Sequence, residues 1–171
     1  MCTGLLPLMA KDSRCSSTNN MAIACTDFMA AMMSLRAMSK EMAAKFKGHL
    51  SPHELDELMV PFSKHIWHAE VGDHEKAGSS NSAYGMSKVG LWKATSILAE
   101  KFKSHPRHIL INSCCPGYVD TDMTSRKGHK TVLEGADTPV YLATLPKSAT
   151  EPFGQFVNEH QVADVEKECP L

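Results

Sequence analysis

Between Ser82 and Gly117 a long helix is followed at once by a short buried strand, and no other feature of the sequence limits the fold as much. Val89, Trp92, Ser96 and Ala99 recur on one helical face, and Leu91, Thr95, Leu98 and Phe102 on the adjacent one. An apolar surface that wide belongs to a helix covered on two sides. The helix is predicted to open at or near Ser82 and to run to about Lys103; His105-Pro106 ends it, because a residue before proline disfavours helical backbone. His108 to Cys115 is then a short apolar run rich in β-branched residues, the pattern of a parallel strand covered on both faces, and Pro116-Gly117 stops it. Leu133 to Leu145 has a helical pattern, with Pro139 predicting a kink or a late start near Thr138, and Phe153 to Val157 reads as a last strand. Helix, strand, helix, strand is the order of a parallel α/β sheet.

Upstream the signals are more local. Ser39 to Lys47 predicts a short helix, punctuated by Gly48. Ser51-Pro52-His53-Glu54 predicts another helix start, with Ser51 as N-cap, Pro52 in the first turn and Glu54 three residues after the cap. Leu55, Leu58, Met59, Phe62 and Ile66 continue it at helical spacing. Met21 to Met33 is rich in Met and Ala, which favours helix and makes a poor strand. Ser13 to Asn20 and Val71 to Ser82 have loop composition, and the charged tail after His160 is expected to fray.

Composition excludes several classes of function. The 18 basic and 19 acidic residues nearly cancel, giving a net charge of −1, so no large field draws nucleic acid or an anionic membrane. The longest apolar runs are far too short to span a bilayer. The N-terminal apolar patch, Leu5 to Met9, lacks a basic flank and is broken by Pro7, so no secretory signal is expected. Six cysteines without C-x-x-C spacing are then expected to be free thiols in a reducing cytoplasm, with Cys114 and Cys115 as inert packing. His65 and His68, at i and i+3 with His74 nearby, lack an acidic or thiol partner at ligand spacing, and no metal is expected.

The chemistry sits at the start of the long helix. Tyr84-Gly85-Met86-Ser87-Lys88 places a phenol and an ammonium at i and i+4, one turn apart on one face. A lysine there favours tyrosinate and is expected to lower the phenol pKa. Such a tyrosine can give a proton to a carbonyl oxygen as hydride arrives from a nicotinamide. Alone the pair also fits an ordinary half-exposed helix surface. The strand that follows ends in Pro-Gly, and the carboxyl end of a parallel strand is where ligands sit in such sheets.

With Ser82-Ala83-Tyr84-Gly85-Met86-Ser87-Lys88, Cys114-Cys115-Pro116-Gly117-Tyr118-Val119-Asp120-Thr121-Asp122-Met123, the run Glu134 to Pro146 and Gly154-Gln155-Phe156-Val157 in place, the chain resembles the short-chain dehydrogenase/reductases, and more closely the NADPH-dependent carbonyl reductases among them. The likeness covers about Met33 to His160, and the helices from Ser51 to about Val71 resemble an insertion carried by that subgroup. It implies an α/β fold, the C-terminal half of a doubly wound, Rossmann-like parallel sheet with a helical insertion before the Tyr-Lys helix. It also implies NADP(H) as cofactor and reduction of aldehydes, ketones or quinones to alcohols. By position, Tyr84 matches the proton donor and Lys88 the residue that binds the nicotinamide ribose and tunes it. Pro116, Gly117, Val119, Asp120 and Thr121 match the loop at the nicotinamide end of the cofactor, and Ala83 a position beside the substrate.

Three departures qualify that implication. The glycine fingerprint that receives a pyrophosphate on a helix N-terminus is missing, since no glycine occurs between Gly4 and Gly48. Cys2 to Leu8 resembles the helix before the family's fifth strand, so strands one to four are expected to be absent from a truncated or variant chain of weak or no activity. Aligned on Met33 to Ala37, Ala30-Ala31 stands where the family has a Ser-Ser pair at the end of that strand, with Ser34 three residues later, and Asp12 to Met29 matches nothing in the family. Residues 1–38 are therefore expected to be a divergent segment, partly disordered or a remnant helix and strand, 39–160 a partial Rossmann-like domain, and 161–171 a flexible tail. The competing expectation is a catalytically dead interaction module that self-associates, or pairs with a full-length relative, through an exposed sheet edge.

Overall fold

The computed structural model describes residues 21–25, 28–68, 80–106, 108–146 and 148–168, with the side chains of 21–28 and 61–68 outside the description. The elements are β1 (Met21–Cys25), α1 (Phe28–Ala37), α2 (Lys40–Lys47), α3 (Pro52–His68), α4 (Ala83–Phe102), β2 (Leu110–Cys114), α5 (Val132–Ala143), β3 (Phe156–Asn158), β4 (Gln161–Val162) and a last turn of helix, α6 (Val165–Glu168). The strands lie in the order β1-β2-β3-β4. The first three are parallel, with Met21 opposite Leu110 and Ser113 opposite Phe156, and β4 returns antiparallel. This is the α/β arrangement expected from the sequence. Among the described residues β1 pairs only with β2, so it is the outer strand on that side.

β2 is buried along its whole length because helices cover both of its faces. Leu110 and Cys114 pack with Leu142, Leu145 and Val157. Ile111 packs with Ile109 and Ala99 of α4. The larger core joins Ala31, Met32 and Leu35 of α1 to Phe46, Leu55, Met86, Val89 and Phe156. Burying a side chain such as Met86 or Leu35 stabilises the fold by about 1.5–3 kcal/mol each. Asn112, fully buried in mid-strand, is satisfied at both ends: its Nδ2 donates to Pro152 O at 2.6 Å and its Oδ1 accepts from Gln155 N–H at 3.2 Å.

The helix starts form as their caps dictate. Ser39 accepts from Met42 N–H. Ser51 and Glu54 cap each other reciprocally, at 3.2 and 2.7 Å. Ser82 accepts from Gly85 N–H at 3.0 Å.

Four expectations need correction. Met21–Cys25 is a strand, not helix, because pairing with β2 outweighs the helix preference of Met and Ala. Ala30-Ala31 does not end a strand: β1 stops at Cys25, and both alanines lie in α1. Pro139 sits inside α5 rather than delaying it, since Thr131 and Glu134 start the helix with a reciprocal cap at 2.7 and 3.3 Å. The segment after His160 forms β4 and α6 instead of fraying. The expected loops at 13–20 and most of 71–82, the N-terminal patch, and the side chains of His65, His68 and His74 lie outside the described residues. Among the described residues no helix is long and apolar enough to cross a membrane.

Lys93 lies on the buried face of α4 at 6% exposure, a position the sequence pattern did not single out. Its ammonium donates to Gly48 O, the carbonyl at the C-cap of α2, where a cation also meets the negative end of the helix dipole. Burial pulls this lysine below its ordinary value of 10.5. Between the lowered pKa and 10.5 the unfolded chain holds more protons here than the folded one, so the Lys93 contribution to stability rises with pH through that window. In urea unfolding at pH 7 to 11, wild type should gain on Lys93→Met as the pH rises; a difference that stays constant contradicts the buried ammonium.

Candidate active-site cleft

Helix α4 runs back along the sheet before β2, so its N-terminus lies at the carboxyl edge of the strands, beside the loop that leaves β2. The two meet around an open cleft of about 860 Å³. Tyr84 and Lys88 line it from the helix, and Pro116, Gly117, Val119 and Thr121 from the loop. The Lys88 ammonium lies over the Tyr84 ring, 5.1 Å from its centroid, so cation and phenol are neighbours as the i, i+4 spacing requires. Tyr84 is 45% exposed and faces ligand-sized space. Ser87 Oγ donates to Tyr84 O at 2.7 Å, which fastens this first turn.

The helix start is fixed from behind by a line of hydroxyls. Ser80 Oγ donates to Ser34 Oγ at 3.2 Å and accepts from the N–H of Ser82, the N-cap residue, at 3.3 Å. Ser34 is 2% exposed in α1 and does not line the cleft. Gly85 is the point of closest approach: a Cβ there would fall 1.8 Å from Ser34 Oγ and 2.8 Å from Ala30 O. With no side chain at 85, α4 beds onto α1, and Tyr84 is carried to the cleft mouth.

The loop after β2 is just as closely held. Gly117 N–H donates to Cys115 Sγ at 3.3 Å, so Cys115, a buried free thiol, also helps to hold the loop. Asp120 N–H donates to Lys130 O at 2.8 Å, and Lys130 N–H to Tyr118 O at 3.1 Å. Thr121 N–H donates to Thr124 Oγ1, whose hydroxyl donates to Val119 O at 2.7 Å. Between these anchors the loop carries Met123 at 81% exposure on the cleft rim.

Of the residues expected at the site, the structure brings Tyr84, Lys88, Pro116, Gly117, Val119 and Thr121 together. Asp120 and Ala83 do not line the cleft; Asp120 Oδ1 is buried with no hydrogen-bond partner, and Ala83 is exposed in the first turn of α4. The sequence reading missed Tyr118, Met123, Thr124, Ser125, Lys127, Val132 and Gly135 of the lining. Their only advance signal is position, within twenty residues of the Pro-Gly break.

Among the described residues the lining offers two ammonium groups, Lys88 and Lys127, the hydroxyls of Tyr84, Tyr118, Thr121, Thr124 and Ser125, and no carboxylate. A phosphate-bearing cofactor fits that donor set. Apolar walls from Pro116, Val119 and Val132 suit a flat ring.

Parallel strands with a helix starting at a strand-end cleft form a Rossmann-type α/β arrangement. Salutaridine reductase from Papaver somniferum matches it with a TM-score of 0.65 at 21% identity, over 82% of this chain and 45% of that one. Menthone neomenthol reductase from Mentha piperita matches with a TM-score of 0.62 at 22% identity, over 94% and 46%. The sequence profile of the short chain dehydrogenases matches residues 71–131. Carbonyl reductase (NADPH) 1 of Rattus norvegicus is 38% identical over 164 residues, and carbonyl reductase (NADPH) 3 of the same animal 39% identical over 165. Each match covers 95% of this chain, the region around Asp12 to Met29 included in that span, and 56% of the relative. The chain is thus similar in sequence to short-chain dehydrogenase/reductases, and it spans about half the length of the curated relatives it matches.

Gly85→Ala tests the helix seat. Alanine is favoured over glycine in a helix by about 1 kcal/mol. The overlap with Ser34 and with the Ala30 carbonyl opposes that gain and costs about 1–3 kcal/mol. Urea unfolding should show net destabilisation, and a stabilised variant would contradict the close approach.

Proposed function

We propose that this chain carries the proton-donor and nicotinamide-end portion of an NADPH-dependent carbonyl reductase, acting on small aldehydes, ketones or quinones. The observation that carries the reading is the Lys88 ammonium over the Tyr84 ring inside a cleft whose opposite wall is the Pro116-Gly117 loop. Support comes from the likeness to that family, from the names of the relatives, and from a lining that, among the described residues, has two cations and no acid.

The chain's own residues have separable tasks. The Tyr84 hydroxyl gives its proton to the carbonyl oxygen, which becomes the alcohol. Lys88 stabilises the tyrosinate left behind, a charge that exists only as the proton moves, so its attraction lowers the barrier rather than merely tightening binding. Reduced nicotinamide coenzyme, when bound, supplies the hydride taken up by the carbonyl carbon. Pro116, Gly117, Val119 and Thr121 are the residues that would hold its nicotinamide end, and Lys88 its ribose. Asp120, outside the lining, is not assigned a contact. Ala83, one residue before the phenol, would border the substrate.

A second reading rests on two observations: the chain has no glycine fingerprint, and β1 is the outer strand of the described sheet. In that reading the chain pairs through β1 and performs no chemistry.

NADPH fluorescence enhancement separates them. The reductase reading expects saturable binding. Tyr84→Phe should keep that binding while carbonyl reduction falls by about 10²–10⁴-fold, the usual worth of a positioned general acid. No saturation with wild-type protein contradicts the reductase reading and favours the pairing one.

A further inference from the structure

We propose that Lys130 and Glu159 are positioning residues for the cleft: the turn between β3 and β4 braces the Gly117 wall from behind through the Lys130 side chain. The turn itself is unusual. It has two residues, Glu159 with φ 48° and His160 with φ 64°, a conformation for which Asn-Gly is the ordinary choice. Both side chains instead anchor it outward. Glu159 Oε1 lies 2.7 Å from Lys130 Nζ. His160 Nε2 lies 2.7 Å from Asp137 Oδ2 on α5, and its ring stacks on Tyr141 at 4.3 Å. The hairpin is thus fixed at one point to α5 and at another to the base of the cleft loop.

Lys130 transmits the second contact. Its backbone is bonded to Tyr118 and Asp120, with Val119 and Lys130 forming a parallel bridge. Its side chain passes directly behind Gly117: a Cβ on that glycine would lie 2.9–3.0 Å from Lys130 Cδ, Cε and Nζ. Gly117, at φ 81°, therefore lines the cleft with one side while Lys130 fills the other. Lys130 does not line the cleft, so it acts on a ligand only through the loop. The hydrogen bond and charge of Lys130 hold the Glu159 carboxyl below the usual carboxylate range. The effect on coenzyme affinity rests on the reductase reading; the effect on loop order does not.

The test uses Lys130→Met, Glu159→Gln and the exchanged pair Lys130→Glu/Glu159→Lys, with two readouts. Amide hydrogen exchange at Asp120 and Lys130 should quicken by about fivefold in each single variant, the scale of losing one exposed ion pair, and return toward wild type in the exchanged pair. Amides of α4 and β2 should not change. The Kd for NADPH should weaken by about the same factor in the single variants and recover in the exchanged pair. Unchanged loop exchange, or a uniform speeding across the whole chain, overturns the brace. Faster loop exchange with an unaltered Kd overturns the positioning role. Faster loop exchange in a wild-type background that binds no NADPH supports the brace and removes the reductase reading instead.

Discussion

Parallel pairing of β1, β2 and β3 is the constraint on which the site depends. It turns the carboxyl ends of the three strands to one edge, and a helix that precedes a strand in such a sheet must begin at that same edge. Helix α4 therefore delivers Tyr84 and Lys88 to the place where β2 releases Pro116 and Gly117. Neither segment makes a site alone. The helix turn supplies the Tyr-Lys pair, and the loop supplies the wall that faces it.

Two close contacts convert that topology into a defined geometry. The bare backbone at Gly85 lets α4 rest on Ser34 and the Ala30 carbonyl, while Ser80 links Ser34 to the N-terminal residues of the helix. On the opposite wall, Cys115, Lys130 and Thr124 hold the loop by its backbone, leaving Met123 out at the rim. The floor is held by these bonds, and the rim carries the exposed apolar surface of Met123.

The sequence made the helix, the central strand and the Tyr-Lys turn legible because each is locally written: a wide apolar face, a β-branched run, an i, i+4 pair. Four of the loop residues at the cleft, Pro116, Gly117, Val119 and Thr121, were expected by likeness to the family. What it hid depends on partners distant in the chain. Met21–Cys25 looks helical by composition and becomes a strand only beside β2. Lys93 carries no signal in the sequence, and only the fold places the Gly48 carbonyl against it. Ser34 drew notice as a displaced catalytic hydroxyl, yet it is buried against Ser80 and Gly85 and supports the helix start. Glu159 and His160 lie just past the stretch read as a strand, and only the fold shows that their contacts to Lys130 and Asp137 turn the chain back as a hairpin. Each miss is a long-range contact outweighing a local preference.

The central claim is that the first turn of α4 and the loop after β2 form one binding surface for a nicotinamide coenzyme. Amide chemical shifts recorded as NADPH is added to the full chain test it directly. The account predicts that the perturbed amides fall in two stretches remote in sequence, Tyr84–Lys88 and Gly117–Thr121, moving together with a single saturation curve. Perturbation of one stretch without the other, or of neither, would contradict it.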